Sequence, residues 1–517
     1  MTSPNTRLYK HALESIFAHL GLVDLANVSA TCRDWSAAVS SMRPIGVRAY
    51  AGASGALHAI RNSRLAMRHV NELHCIGGSL DFYSCVRSNP IDATDLTDLC
   101  AIIRRSKLLA TVDVSRNNIN GAGIVAIADA IKQSASLVLA TVNLSGNSIG
   151  AIGAVAVAEA IALSKSLTEL NLSRNNIKDA DAVIISEAIK QSQSALATMD
   201  LSCTYIGGVG AAAIIEAASQ SNSLTAVHLR DNLIGSSGIN AFANAIEQST
   251  SLVKLDLFNT SIGDVVAIKV AHAIRNSTSL ATVLLGRCNI GASGVFAIAE
   301  AIAQSTSLAV VSLRSNRFGV KGAVAVAEAI KQSKSPLTTI DLECNNIGTR
   351  GAVAIVEAIN KQSNSSITTV NLGYNEIRAK GVVAVAKLIR QSKSLTTVTL
   401  GGNAIGDAGA AAIAEAIKQS KSVTTVHLSD NGIGSVGADS IAEAIKQSTS
   451  LTLVNLSSNR RIGDFGAFSI ADAIKQSTSL TALDLNHNDI GAHGAAAIAE
   501  ANIQRKPRAV VNLNPLW

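Results

Sequence analysis

Few side chains in this chain are of a type and spacing that could carry chemistry, and those few argue against a catalytic or metal site. The seven cysteines are Cys32, Cys75, Cys85, Cys100, Cys203, Cys288 and Cys344. They are odd in number and widely spread, with no C-x-x-C pair and no His cluster beside them, so neither a disulfide framework nor a zinc site is expected. Thiols used this way point to a reducing compartment. Gly207-Gly208 and Gly401-Gly402 suggest a phosphate cradle, yet no G-x-x-x-x-G-K-[ST] follows any strand pattern. His228 and His427 occupy equivalent positions of a repeated phrase far apart in the chain, and Ser, His and Asp never recur together as a triad requires. Both His are read as exposed polar residues. A reactive role for Cys288 would need a neighbouring base or basic helix terminus, and none is evident. No catalytic residue, metal ligand or cofactor is expected.

The formal charge of +7 raises the question of nucleic acid. Binding it would require the Lys and Arg to gather on one face or to interleave with stacking aromatics. Aromatics are only 3% of the chain, and most Lys sit in a recurring E-A-I-K-Q-S phrase. There Glu187 precedes Lys190, Glu328 Lys331, Glu415 Lys418 and Glu443 Lys446, each by three residues. On a helix that spacing makes a solvated face of opposite charges worth about 0.2–0.5 kcal/mol per pair. Nucleic acid is therefore not expected as a partner. Nor is a membrane, since no run of about 18 apolar residues occurs and MTSPNTRLYKHALESIF has no long apolar stretch behind its basic residues. The sequons, such as Asn143-Leu-Ser145, are a by-product of the repeat.

The elements that must carry these residues come from that repeat. From about residue 108 the phrase S-L-T-x-V-x-L-S-x-N-x-I-G-x-x-G-A-x-A-I-A-E-A-I-K-Q-S returns every 28 to 30 residues. Its Asn column runs Asn117, Asn147, Asn175, Thr204, Asn232, Thr260, Cys288, Asn316, Asn345, Asn375, Asn403, Asn431, Asn459 and Asn488. In Leu170-Asn171-Leu172 the apolar side chains alternate as in a short strand, whereas the stretch from Gly153-Ala154 has helical apolar spacing. Each unit is one strand and one helix. Neither can bury its apolar face alone, so neighbours stack, strands in a parallel sheet on one side and helices outside. Ala lets the helix backbones approach closely. The column Asn, placed where the chain leaves the strand, can satisfy backbone groups of adjacent turns. Thr204, Thr260 and Cys288 read as structural variants of it.

This L-x-x-L-x-L-x-x-N pattern resembles the leucine-rich repeat of the ribonuclease-inhibitor type over residues 108–517. The resemblance implies an α/β leucine-rich-repeat solenoid, a horseshoe with parallel strands inside and helices outside. Residues 41–107 read as a linker with degenerate first repeats, in which Val70 to Cys75 aligns with the strand phrase and Asp92 to Arg104 with a helix.

Residues 1–40 do not share the repeat. Leu13, Ile16, Phe17 and Leu20 fall at helical spacing, Gly21 ends that helix, and Asp24 can cap a second one carrying Leu25, Val28 and Cys32 before Trp35. One reading is a helical cap over the open end of the solenoid. The other is that the segment resembles an F-box, through Ile16-Phe17-x-x-Leu20, Asp24-Leu25 and Cys32-x-x-Trp35. The usual opening Leu-Pro and acidic residue are replaced by Leu8-Tyr9-Lys10-His11, and Thr31 stands where Val is common. The F-box resemblance implies that Leu13, Ile16, Phe17, Leu20, Leu25, Val28, Cys32 and Trp35 dock a Skp-type adaptor and, through it, a cullin. The chain would then be the non-enzymatic substrate-recognition subunit of a cullin-RING ubiquitin ligase, cytoplasmic or nuclear.

A protein substrate is expected on the strand face. Most exposed positions there are Ser, Asn, Gly or Thr; the exceptions are Arg230, Lys254, Asp256, Phe258, Arg287, Arg314, Glu343 and Tyr374, and Arg and aromatic residues are favoured at interface hot spots. Alternatives are a pure repeat scaffold and a Ran-type GTPase activator, whose family adds an acidic tail where this chain ends Asn512-Leu513-Asn514-Pro515-Leu516-Trp517. Ribonuclease inhibition fits less well, because a chain at +7 offers no attraction to a basic target. An NLR-type receptor would need a nucleotide-binding domain.

Overall fold

The computed structural model describes residues 45–50, 70–76 and 93–514, apart from 135–137, 193–194, 236–237, 250 and 363–364. The helical segment expected over 1–40, with all eight expected adaptor contacts, lies outside these residues. Two compact units, Met1–Lys254 and Leu255–Trp517, divide the chain.

The first unit contains strands β1 (Ile45–Tyr50), β2 (Val70–Ile76), β3 (Thr111–Asp113), β4 (Thr141–Asn143), β5 (Glu169–Asn171), β6 (Thr198–Asp200) and β7 (Ala226–His228). Its helices are α1 (Ala93–Arg105), α2 (Gly121–Lys132), α3 (Gly150–Leu163), α4 (Asp179–Gln191), α5 (Gly208–Gln220) and α6 (Ile239–Gln248). The division falls within β8 (Lys254–Asp256). The second unit alternates α7 (Gly263–Asn276), β9 (Thr282–Leu284), α8 (Ala292–Gln304), β10 (Val310–Ser312), α9 (Gly319–Gln332), β11 (Thr339–Asp341), α10 (Gly348–Lys361) and β12 (Thr369–Asn371). It continues through α11 (Arg378–Gln391), β13 (Thr397–Thr399), α12 (Gly406–Gln419), β14 (Thr425–His427), α13 (Ser435–Gln447), β15 (Leu453–Asn455), α14 (Gly463–Gln476), β16 (Ala482–Asp484), α15 (Ala492–Gln504) and β17 (Val510–Asn512).

Successive strands pair in parallel and in step from β2 to β7 in the first unit and from β9 to β17 in the second, so that Thr339, Thr369, Thr397 and Thr425 stand side by side. Parallel neighbours require a crossover, and here each crossover is the repeat's helix. This is the expected leucine-rich-repeat solenoid. The degenerate stretch holds β2 and α1 where the strand and helix phrases were read, plus β1, which the repeat does not anticipate.

One repeat shows how the core closes. Leu395, Val398, Leu400, Ile405, Ala410, Ile413, Ala414 and Ile417 are all buried, and burial of each large aliphatic side chain stabilises by about 1.5–3 kcal/mol. At the helix exit, Ser420 Oγ accepts the Val423 amide at 3.2 Å and turns the chain toward the next strand. Equivalent bonds form at Ser277, Ser305, Ser392, Ser448 and Ser477, which gives the recurring K-Q-S its role.

The Asn column forms a ladder inside each unit. Asn403 donates from Nδ2 to the carbonyls of Leu372 (3.0 Å) and Leu400 (2.9 Å), while its Oδ1 accepts the amides of Asn375 (3.0 Å) and Ile377 (3.2 Å) in the preceding repeat. A hydroxyl carries a single hydrogen, so Thr260 Oγ1 donates only to the Leu257 carbonyl. Cys288 replaces the donor with its thiol, 2.9 Å from the same carbonyl.

A second device joins repeats at the helix N-termini. The N-caps of α5, α8, α13 and α15 are Gly207, Gly291, Gly434 and Gly491, which have no side chain to offer. An Asp from the preceding repeat substitutes. Asp407 Oδ1 accepts the Gly434 and Gly437 amides at 2.6 and 3.0 Å, and Asp464 Oδ1 those of Gly491 and Gly494 at 2.7 and 3.1 Å. The carboxylate satisfies otherwise orphaned donors and meets the positive end of the helix dipole.

Candidate partner-binding face

In the second unit, the position two residues beyond each strand's last residue reads Phe258, Gly286, Arg314 and Glu343 in successive repeats. Arg314 lies with its guanidinium carbon 5.5 Å from the centroid of the Phe258 ring, a cation–π contact. Gly286 makes that contact possible: a Cβ there would stand 2.5 Å from Arg314 Cγ and 2.7 Å from Phe258 Cδ2. On its other side Arg314 Nη2 reaches Glu343 Oε1 at 3.3 Å, and Glu343 Oε2 accepts from Asn371 Nδ2 at 2.9 Å. The Arg314 side chain is 40% exposed and that of Glu343 18%, so the pair is held at the surface rather than beneath it.

Behind this row, Ser312 Oγ donates to Asp341 Oδ2 at 2.7 Å and the Glu343 amide to Asp341 Oδ1 at 3.2 Å. Burial raises the Asp341 carboxyl above the ordinary Asp range, against the lowering pull of these hydrogen bonds and of Arg314. Further along, the Tyr374 ring lies against Gly402, where a Cβ would approach its ring atoms to 2.2 Å and where φ is already +66°. Tyr374 is 47% exposed.

The residue after each of these positions leaves the strand in a left-handed conformation: φ is +53° at Arg287 and +53° at Tyr374. An L-residue there costs about 1–2 kcal/mol. Opposing that cost, the Arg287 amide donates to the Arg314 carbonyl at 2.8 Å and the Tyr374 amide to the Gly401 carbonyl at 2.7 Å.

Of the expected substrate contacts, the structure brings Phe258, Arg314 and Glu343 into one connected row, with Arg287 exposed beside it and Tyr374 beyond it. Asp256 departs from the expectation of an exposed position: it is 5% exposed, and its Oδ1 accepts the Phe258 amide at 3.1 Å. Arg230 and Lys254 belong to the first unit. There Arg230 Nε lies 3.2 Å from Asp231 Oδ2, and Lys254 is half-buried. Sequence reasoning passed over Gly286, Asn371 and Ser312. A glycine between two large side chains placed 28 residues to either side is the signal that could have found the first.

The remaining candidates are structural. Burial pushes the Cys288 thiol up to about 11, against hydrogen bonds that lower it. Cys100, Cys203, Cys288 and Cys344 are free thiols. His228 and His427 are half-buried rather than exposed, and burial holds His427 below the ordinary imidazole range. The expected Glu–Lys pairs form at 3.0 Å (Glu187–Lys190), 3.3 Å (Glu328–Lys331), 2.6 Å (Glu415–Lys418) and 3.3 Å (Glu443–Lys446). Among the described residues, no group of His, Cys, Asp and Glu could hold a metal ion, and no helix is long and apolar enough to cross a membrane.

Known proteins extend this picture. The family model described as Leucine Rich repeat matches ten segments: 106–128, 136–158, 163–185, 220–243, 333–356, 363–386, 391–414, 419–442, 447–471 and 476–499. The F-box domain model matches residues 6–45. No curated protein matches the chain. Among solved structures, the Rad7 and Elc1 complex of yeast contains a chain 12% identical, with a TM-score of 0.44 over 76% of this chain and 88% of that one. The TLR13–ssRNA13 complex contains one 14% identical, with a TM-score of 0.41 over 73% and 59%.

Proposed function

Because this chain is an F-box protein with leucine-rich repeats, we propose that it is the substrate-recognition subunit of a cullin-RING ubiquitin ligase. The observation that carries this reading is the order of the two modules, an F-box at 6–45 ahead of a long repeat solenoid. In this reading residues 1–40 dock a Skp-type adaptor through Leu13, Ile16, Phe17, Leu20, Leu25, Val28, Cys32 and Trp35. The adaptor joins the chain to the cullin, residues 41–107 connect, and the repeats of 108–517 hold a protein substrate.

The transfer chemistry belongs to other subunits. This chain supplies proximity, holding substrate lysines where the conjugating enzyme can reach them and turning a bimolecular encounter into a local one. It acts in the cytoplasm or nucleus. The substrate contacts of the second unit are Phe258, Arg287, Arg314, Glu343 and Tyr374. Asp256 serves from below, by holding the Phe258 amide.

The test is reconstitution of the full chain with a purified Skp-type adaptor and cullin, beside a Phe17→Ala/Trp35→Ala variant whose fold is checked by circular dichroism. Co-elution with the adaptor, lost in the variant, is expected. Failure of the folded wild-type chain to bind the adaptor would remove the ligase reading.

A further inference from the structure

We infer that the Phe258–Glu343 stretch of the strand face takes an acidic peptide segment, its carboxylates on Arg287, Arg314 and Arg317 and an apolar side chain on the Phe258 ring. The inference deepens the substrate-receptor reading, on which it rests for what the segment belongs to.

The first support is the contrast along the face. After Phe258, Arg314 and Glu343 the same column continues as Gly373 and Gly401, so bulk and charge are confined to one end of the unit. The two departures from the Asn ladder in this unit, Thr260 and Cys288, fall in the same repeats as Phe258 and Arg287.

The second support is organisation. Arg314 is held between an aromatic ring and a carboxylate, over a glycine whose missing side chain leaves room for both. A guanidinium fixed this way loses less side-chain entropy when a ligand binds than a freely rotating one.

The third support is charge bookkeeping. Glu343 is engaged by Arg314 and Asn371, Asp341 by Ser312 and the Glu343 amide, and Asp256 is buried. Arg287 and Arg317 are exposed on neighbouring repeats, and neither forms an ion pair among the described residues. The surface therefore presents a surplus of positive charge beside an apolar ring, complementary to carboxylates next to an apolar residue. A nucleic acid is the weaker match, because successive bases stack on several rings and Phe258 is the one aromatic residue in this row.

The experiment is fluorescence anisotropy on the full chain with a labelled eight-residue peptide alternating Glu and Leu, its Lys-for-Glu counterpart, and a single-stranded oligonucleotide. The expected result is saturable binding of the Glu peptide alone, weakened about fivefold or more by Arg287→Gln/Arg317→Gln. Gly286→Ala, which changes no charge, is expected to weaken it comparably by pushing Phe258 and Arg314 apart. Circular dichroism checks that both variants fold. The Phe17→Ala/Trp35→Ala variant should bind the peptide like wild type, and a wild-type chain that binds the peptide but not the adaptor overturns the ligase reading alone. Equal binding of the Lys peptide, no saturable binding of the Glu peptide, an unchanged Arg287→Gln/Arg317→Gln variant, or tighter binding of the oligonucleotide would overturn the inference.

Discussion

Replacing Asn403 by Ala tests the ladder at a point where the structure permits the cost to be counted. Asn403 is fully buried, and its side chain serves two kinds of partner. The carbonyls of Leu372 and Leu400 keep a second donor after the change, from Asn375 Nδ2 at 3.1 Å and Asn431 Nδ2 at 3.0 Å. Among the described residues, the buried amides of Asn375 and Ile377 have no acceptor besides Asn403 Oδ1, and they become orphaned. Each orphaned donor costs about 1–3 kcal/mol, so the two together predict about 2–6 kcal/mol. Asn403→Thr should cost a similar amount, since a hydroxyl placed as in Thr260 donates to its own repeat's carbonyl and leaves the same two amides unserved. Because a solenoid opens repeat by repeat, the assay is urea denaturation followed by far-ultraviolet circular dichroism, together with hydrogen exchange at Asn375 and Ile377. A loss below about 1 kcal/mol in the Ala variant, with both amides still protected, would refute the claim that the column Asn carries the backbone accounting between repeats.

The helix caps, the buried thiol and the buried carboxyl can be tested in the same way. Asp464→Ala removes the cap that Gly491 cannot supply to α15 and should cost about 0.5–2 kcal/mol, read as a lower melting temperature and faster exchange at the Gly491 and Gly494 amides. Cys288, its thiol pushed up to about 11 by burial, should resist alkylation in the native chain at pH 8 and react once denatured; mass spectrometry after iodoacetamide treatment checks this. Asp341→Asn tests the raised carboxyl: the folded state holds that proton more tightly than the unfolded one. The contribution of Asp341 to stability is therefore fully present below the unfolded Asp range and is lost as pH rises through the raised folded value. The Asn variant should gain on wild type as pH rises from 3 to 7, measured by denaturation across that range, whereas parallel curves would contradict the raised carboxyl.

The architecture was legible in the sequence because a repeat writes the same packing rule many times. The alternation around Leu170, the Ala-rich helical stretch and the 28-residue spacing of Asn175, Thr204 and Asn232 each point to one strand and one helix, and the helices crossing between β9 and β17 follow. The F-box landmarks from Ile16 to Trp35 were legible for another reason, since apolar residues at fixed spacings survive as a pattern even where no repeat reinforces them. Other features depend on which residues meet across repeats. Asp464 sits 27 residues from the glycine it caps, and nothing local in its helix marks it as a partner for Gly491. Asp256 looked like any polar residue of a strand face, yet it turned out to be buried beneath Phe258.

The sequence by itself determined the fold class and the lattice of equivalent positions, because hydrophobic periodicity and chain spacing are one-dimensional quantities. It also picked out Phe258, Arg287, Arg314, Glu343 and Tyr374, as departures from an otherwise small and polar face. Only the tertiary structure decided that Phe258, Arg314 and Glu343 form one row, that Gly286 is the gap that lets them meet, and that Arg287 and Arg317 lack an ion-pair partner among the described residues. Those are facts about distances of a few ångströms between residues 28 or more apart in the chain, and stacking in space sets them.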